Sequence, residues 1–239
     1  METKKKYRLT NECIIHEGRT LYRIEALVDF SNIKAGTKGG FVESERNLSH
    51  DGACWVADDA MVYGGAFVYE NAIVSNEASD FGSANECGCA SVYGSANVCG
   101  DAIVCGDAIV RDNAKVYECA TIFYEASVSG RSKVYGHAKV GDFACVFDDA
   151  EICGKTRVYF HAQICNNAIV HNNKEYIVFK NWWSSGRYFT WTRSNNLWKV
   201  GCFSGNGEDL IARAYEDSEL SGREYERVVN YVKSILEET

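Results

Sequence analysis

Residues 182–199 contain four of the chain's five tryptophans, Trp182, Trp183, Trp191 and Trp198, interleaved with Arg187, Tyr188, Arg193 and Lys199. Flat rings that stack on a base and cations that pair with a phosphate are what recognition of a nucleotide requires. The candidate ligand-binding residues are therefore Trp182, Trp183, Arg187, Tyr188, Trp191, Arg193 and Lys199. Alternation along RYFTWT divides them, with Phe189, Trp191 and Arg193 on one face and Tyr188, Thr190 and Thr192 on the other. One of these faces must pack on whatever covers the sheet, because so small a unit also needs aromatics for its own core.

Charge is unevenly spread. Residues 174–203 carry five Lys/Arg against one acid, whereas 54–173 carry seven against fifteen. The net charge of −8 argues against long duplex DNA, whose binding depends on neutralising many phosphates. A small anionic ligand needs only a few cations.

Other chemically capable residues lie outside this patch. His137, His161 and His171 occur at turn or outward positions of a repeat, where a histidine is ordinarily a solvated polar group, so no catalytic residue is assigned. Asp80 and Glu86 interrupt an apolar column. An ionised carboxylate there would be costly unless paired, so a local bulge turning both acids outward is expected. A polar or metal-binding spot built from Asp80, Glu86, Cys87 and Cys105 is the sharper alternative, but its spacing matches no known ligand set. No C-x-x-C pair is present among the eleven cysteines, which read as reduced thiols in a cytoplasm. Neither a metal nor a cofactor is expected.

These residues are carried by a repeat. From Cys54 to Ala168 every sixth residue is Ala in seventeen of twenty positions, and Val or Ile follows two residues later in eighteen of twenty. Six is not a helical period, since successive positions would fall about 120° apart. In a strand, residues two apart share a face, so each Ala–Val pair points inward. Gly, Asp and Asn in the following positions supply a corner. Three such hexads per coil make a parallel β-helix of roughly 6.7 coils, on the order of 32 Å long. The absence of Pro suits unbroken ladders.

The pattern resembles the hexapeptide-repeat proteins, which implies a left-handed parallel β-helix, commonly trimeric. Many of those proteins are acyltransferases that hold an acyl-CoA between protomers, with a His base on a loop thrown out of the coil. No loop interrupts the hexads of this chain, which departs from that arrangement. The lead-in IKAGTKGGFVESERNLSHDGACWV resembles that of uncharacterised phage- and prophage-associated members of the group.

Three segments are expected: residues 1–53 as an N-terminal β-rich cap, 54–173 as the β-helix, and 174–239 as a C-terminal α+β domain of three strands and two helices. Asn206 is the expected N-cap of the first helix, and Ser221 with Glu224 the capping box of the second. The outward row Trp55, Ile73, Ile109 and Cys145 suggests a subunit contact or a covering segment. No run approaches the ~18 apolar residues of a membrane span, and no apolar stretch follows the basic start, so a cytoplasmic protein of a bacterial host cell is expected.

The favoured expectation is a non-enzymatic, homotrimeric binding protein of phage type that captures a small anionic, nucleotide-like ligand. Sequestering a host immune signalling nucleotide would be one use. An acyltransferase-like enzyme and a structural spacer or virion component are the alternatives.

Overall fold

A computed structural model describes residues 5–237. Twenty two-residue strands, β4 (Trp55–Val56) to β23 (Ile169–Val170), recur every six residues and stack in parallel on three faces. Every Ala, Val and Ile of the inward columns is fully buried. The bore is thus a column of small and branched side chains, as the repeat implies. Between rungs the corner residue adopts a left-handed conformation, from Asp58 through Gly100 to Asn166.

The ladder exchanges hydrogen bonds in both directions, as the parallel pairing of Ile109 with Ser127 and Val110 with Val128 requires, but most of its amides point one way. Each coil's amides donate to carbonyls of the following coil, as in Ile109 N to Ala126 O and Arg111 N to Val128 O, both 2.9 Å. The N-terminal end therefore presents mainly carbonyls and the C-terminal end mainly N–H groups. Buried backbone groups left unpaired cost about 1–3 kcal/mol each, so the groups exposed at each end need partners.

At the N-terminal end most caps are donors, although the Glu43 carboxylate accepts from Gly64 N at 2.7 Å. Strands β1 (Tyr7–His16), β2 (Arg19–Ala26) and β3 (Lys38–Val42) extend one face, with β3 parallel to the coil. Phe41 N reaches Ala60 O at 2.8 Å, Ser49 N reaches Val68 O at 2.9 Å, and Asn47 Nδ2 reaches Ala66 O at 2.9 Å. The buried Lys6 ammonium donates to Cys54 O at 2.9 Å and faces the Phe30 ring. Trp55, expected on the outer surface, is covered by this cap and meets the edges of Tyr7 and Phe30.

At the C-terminal end three caps are acceptors, one per face, and the Tyr176 hydroxyl donates to Arg157 O at 2.6 Å. Arg157 N donates to Asn173 Oδ1 at 2.7 Å, Gln163 N to Thr190 Oγ1 at 2.8 Å, and Ile169 N to Ser194 Oγ at 2.8 Å. Thr190 and Ser194 come from the C-terminal domain, which has four antiparallel strands rather than three: β24 (Tyr176–Lys180), β25 (Tyr188–Thr192), β26 (Leu197–Val200) and the short β27 (Phe203–Gly205). Helices α1 (Gly207–Asp217) and α2 (Glu219–Glu237) cover the face opposite the coil. Asn206 caps α1 by accepting from Asp209 N, as expected. The second cap is Ser218, whose Oγ accepts from Ser221 N; Ser221 and Glu224 lie inside α2, because the chain turns three residues earlier than the Ser-x-x-Glu pattern suggests. Among the described residues no helix is long and apolar enough to cross a membrane.

The acids in the column do not form the expected bulge. Asp80 stays in register between Val62 and Val98, and Glu86 between Val68 and Val104, both buried in the bore. Flanking ladder bonds such as Tyr63 N to Asp80 O and Phe81 N to Val98 O, both 3.0 Å, would be lost in a bulge, whereas a carboxyl can shed its charge. None of their four carboxyl oxygens has a hydrogen-bond partner among the described residues. Burial pushes both groups well above the usual carboxylate range, and for Glu86 the neighbouring Asp80 adds to it. Both therefore enter the bore protonated, facing away from Cys87 and Cys105, so the four residues do not converge on a metal.

The unfolded chain releases these protons near pH 4, the fold only at higher pH. The contribution of the pair to stability is thus fully present below about pH 4 and is lost as pH rises through the folded-state titration. The double variant Asp80→Val/Glu86→Leu should be more stable than the wild type at pH 8, by about 1–4 kcal/mol, with the gap closing toward pH 4. Urea unfolding of both proteins across that range measures the difference; a gap that stays constant with pH would contradict the assignment.

Candidate functional site

The seven aromatic and basic candidates do not meet at one place. Trp191 is buried under the helices with Trp198 and Phe189, its Nε1 donating to Asn196 Oδ1 at 3.0 Å. Trp183 packs among Phe189 and Tyr225. Trp182 is exposed at the edge of Trp183, Arg187 is exposed beside a small cleft of about 70 Å³, and Arg193 is exposed at the start of a turn. Alternation thus sends Phe189 and Trp191 to the helices and Tyr188 and Thr190 to the coil, and the domain uses most of its rings as core.

Tyr188 and Lys199 are the two candidates that face the coil. Lys199 lies 5.7 Å from the Phe147 ring and lines a mixed-charge groove with Arg111, Asp112, Asp148 and Gln163. Those two acids cap corners, accepting from Gly130 N and Asn166 N, so the groove has no free excess of positive charge. Tyr188 lies over His161 at 4.2 Å, and His161 stacks in turn on Phe143 at 4.8 Å. Three rings are stacked here along the coil axis. They form one wall of a groove of about 460 Å³ completed by Tyr124, Phe160, Glu125 and Asp142.

The geometry of Tyr124 and Phe160 is the decisive feature. Both are corner residues with φ of 57° and 59°, in a position otherwise taken by Gly, Asp, Asn or Glu. The left-handed conformation costs a residue with a bulky side chain roughly 1–2 kcal/mol. Yet the rings are 62% and 69% exposed, so they recover little of this by burial. They stand two coils apart on one corner, with the short Asp142 between them, its Oδ2 accepting from Phe160 N at 2.9 Å. Strain that packing does not repay is concentrated where a ligand would use it.

On the other side of Tyr124 a second groove of about 380 Å³ is lined by Phe123, Tyr159, Thr121, Lys139 and Cys105. The Phe123 ring lies across Gly141, where a Cβ would collide with it. Lys180, at the end of β24, sits 5.7 Å from the Tyr188 ring. The surface around Tyr124 therefore combines exposed rings, carboxylate acceptors at Glu125 and Asp142, and two cations, Lys139 and Lys180. Tyr124 and Phe160 were legible as departures from the Gly/Asp/Asn corner pattern; the reach of Tyr188 across to the coil was not.

Of the histidines, His137 is exposed, His161 is held in the ring stack, and His171 Nδ1 lies 2.8 Å from the Sγ of Cys153, a buried thiol. They do not share a site. Among the described residues no three Cys, His, Asp or Glu side chains are grouped as metal ligands.

No family model matches the chain. A stretch of 47 residues, 19% of the chain, is 43% identical to part of an uncharacterized acetyltransferase, YdcK, of Escherichia coli strain K12. The match spans 14% of that protein's length. The partial match and the three-sided coil fit a hexapeptide-repeat β-helix.

If the corner rings serve a ligand rather than the fold, removing them should not weaken the coil. Tyr124→Asn and Phe160→Asn place a residue that tolerates the left-handed corner, as Asn76 and Asn166 already do. Each should leave stability unchanged or raise it by up to about 1 kcal/mol in urea unfolding. A loss of more than about 1 kcal/mol would show that the rings are structural.

Proposed function

We propose that this is a non-enzymatic binding protein whose coil presents the Tyr124–Phe160 corner to a small, planar, anionic ligand of nucleotide type. The observation that carries the reading is the pair of strained, exposed rings flanking Asp142. A base stacks against Tyr124, Phe160 or the Phe143–His161–Tyr188 column, each contact contributing about 1–3 kcal/mol. Glu125 and Asp142 accept hydrogen bonds from a base's amine and ring N–H groups. Lys180 and Lys139 are the cations within reach of the phosphate, and the filled bore leaves recognition to the outer surface. Tyr188 is the one residue of the seven sequence candidates kept in this site.

A homotrimer of left-handed coils, phage origin and sequestration of a signalling nucleotide extend this proposal. They are supported by the resemblance of the repeat and its lead-in. A second reading, an acyltransferase working on acyl-CoA, is favoured by the partial match to an acetyltransferase. The two share an adenine-type ring in the outer groove and differ in turnover.

Calorimetry with a panel of mononucleotides, cyclic nucleotides and acetyl-CoA separates them. Micromolar binding of a nucleotide is expected, weakened tenfold or more by Phe160→Asn or Tyr124→Asn and unaffected by Trp182→Ala. The absence of nucleotide binding at that level would sink the proposal. Release of free CoA from acetyl-CoA in the presence of an amine, abolished by His161→Ala or His137→Ala, would establish the enzyme instead.

A further inference from the structure

All eleven cysteines are free, and Cys87 and Cys105 are the one pair among them that is eighteen residues apart. Eighteen residues is one coil, so these two thiols occupy the same outward position on successive rungs. They directly follow β9 (Asn85–Glu86) and β12 (Ile103–Val104), which pair in parallel with Val104 opposite Glu86. The Cys87 amide donates to Val104 O at 3.0 Å, which fixes the register immediately before both side chains. Both residues are partly exposed. The neighbouring Cys87 thiol pushes the Tyr69 phenol, one coil earlier, up to about 12, and burial followed by Cys87 pushes the Cys105 thiol up.

Adjacent rungs set their Cα atoms about 4.8 Å apart, inside the roughly 4.4–6.8 Å range of disulfides. In-register side chains on parallel strands also keep their Cβ atoms near the rung spacing, wider than the mean of about 3.8 Å for a relaxed bridge. A bond formed here is strained, and a strained, partly exposed disulfide is one that small thiols can reopen.

We propose that Cys87 and Cys105 form a reversible redox pair that a low-molecular-weight disulfide, of the glutathione disulfide class, closes across two coils. One cysteine, as thiolate, attacks a sulfur of the small disulfide and expels the first small thiol, leaving a mixed disulfide on the protein. The other cysteine then attacks the protein-bound sulfur and expels the second small thiol. Two protein S–H bonds are exchanged for one S–S bond, the small disulfide is reduced by two electrons to two thiols, and the two protons pass to the departing thiolates. Because Cys105 also lines the Phe123–Lys139 groove, the bridge would tie that wall to the preceding coil. The inference does not depend on the identity of the ligand.

The full chain, incubated with glutathione disulfide at pH 8, acid-quenched and alkylated, is digested without reduction and mapped by mass spectrometry. Cleavage before Asp101 separates the peptide holding Cys87 from that holding Cys105. A linked Cys87–Cys105 peptide, loss of two titratable thiols, and its disappearance on adding excess reduced glutathione are expected. In Cys87→Ser the partner Cys105 should retain a glutathione adduct, and in Cys105→Ser Cys87 should do so. Stable separate adducts on both cysteines of the wild type, or cross-links that join them indiscriminately to Cys89 and Cys99, would overturn the proposal; this wild-type result stands even if a variant does not fold.

Discussion

The backbone ladder of the coil governs this molecule. In this parallel β-helix neighbouring coils exchange hydrogen bonds in both directions, but the amides that donate forward, such as Ile109, Arg111 and Asn113, outnumber those that donate back, so one end of the rod is richer in acceptors and the other in donors. The two ends are closed with matching chemistry: Lys6, Asn47 and the β3 amides donate at one, and Asn173, Thr190 and Ser194 accept at the other. The C-terminal domain is thus more than an appended module. Two of its side chains complete the last coil, and this docking also brings Tyr188 over the corner column.

The same ladder determines where chemistry can occur. Its rungs bury one residue inward at each Ala and each Val position, which leaves the bore with apolar walls and two protonated acids. The outward residues and the corners are free to vary. Corners are the costlier place for a large side chain, because the turn needs a left-handed residue there. Aromatic rings at two such corners, Tyr124 and Phe160, nevertheless stand exposed on either side of the Asp142 carboxylate.

Much of the architecture was legible because the period of six repeats without a single insertion, and twenty copies leave one way to satisfy the inward columns. The acids were misread for a physical reason. A charge was assumed in the column, where burial instead favours the neutral form, and the cost of breaking the ladder on two neighbouring rungs exceeds that of a protonated carboxyl. The site was only partly legible. Trp191 and Arg193 alternate onto the same strand face, but nothing local says that this face meets α1 and α2. Tyr188 and Phe143 are 45 residues apart, and their common stack on His161 depends on how the C-terminal sheet docks. Ser218 lost to Ser221 in the reading of the second helix because the Ser-x-x-Glu pattern is local and the tight link between α1 and α2 is not.

Whether the ladder is sealed at its C-terminal end is open to a direct measurement, native-state amide hydrogen exchange resolved by residue. Gln163 and Ile169, although on the terminal coil, should exchange as slowly as the mid-coil amides Ile109 and Arg111. Thr190→Val should accelerate Gln163 alone, and Ser194→Ala should accelerate Ile169 alone. Rapid exchange of both amides in the wild type, at the rate of the surface turns, would show that the end is open and that the capped ladder is not what holds the structure together.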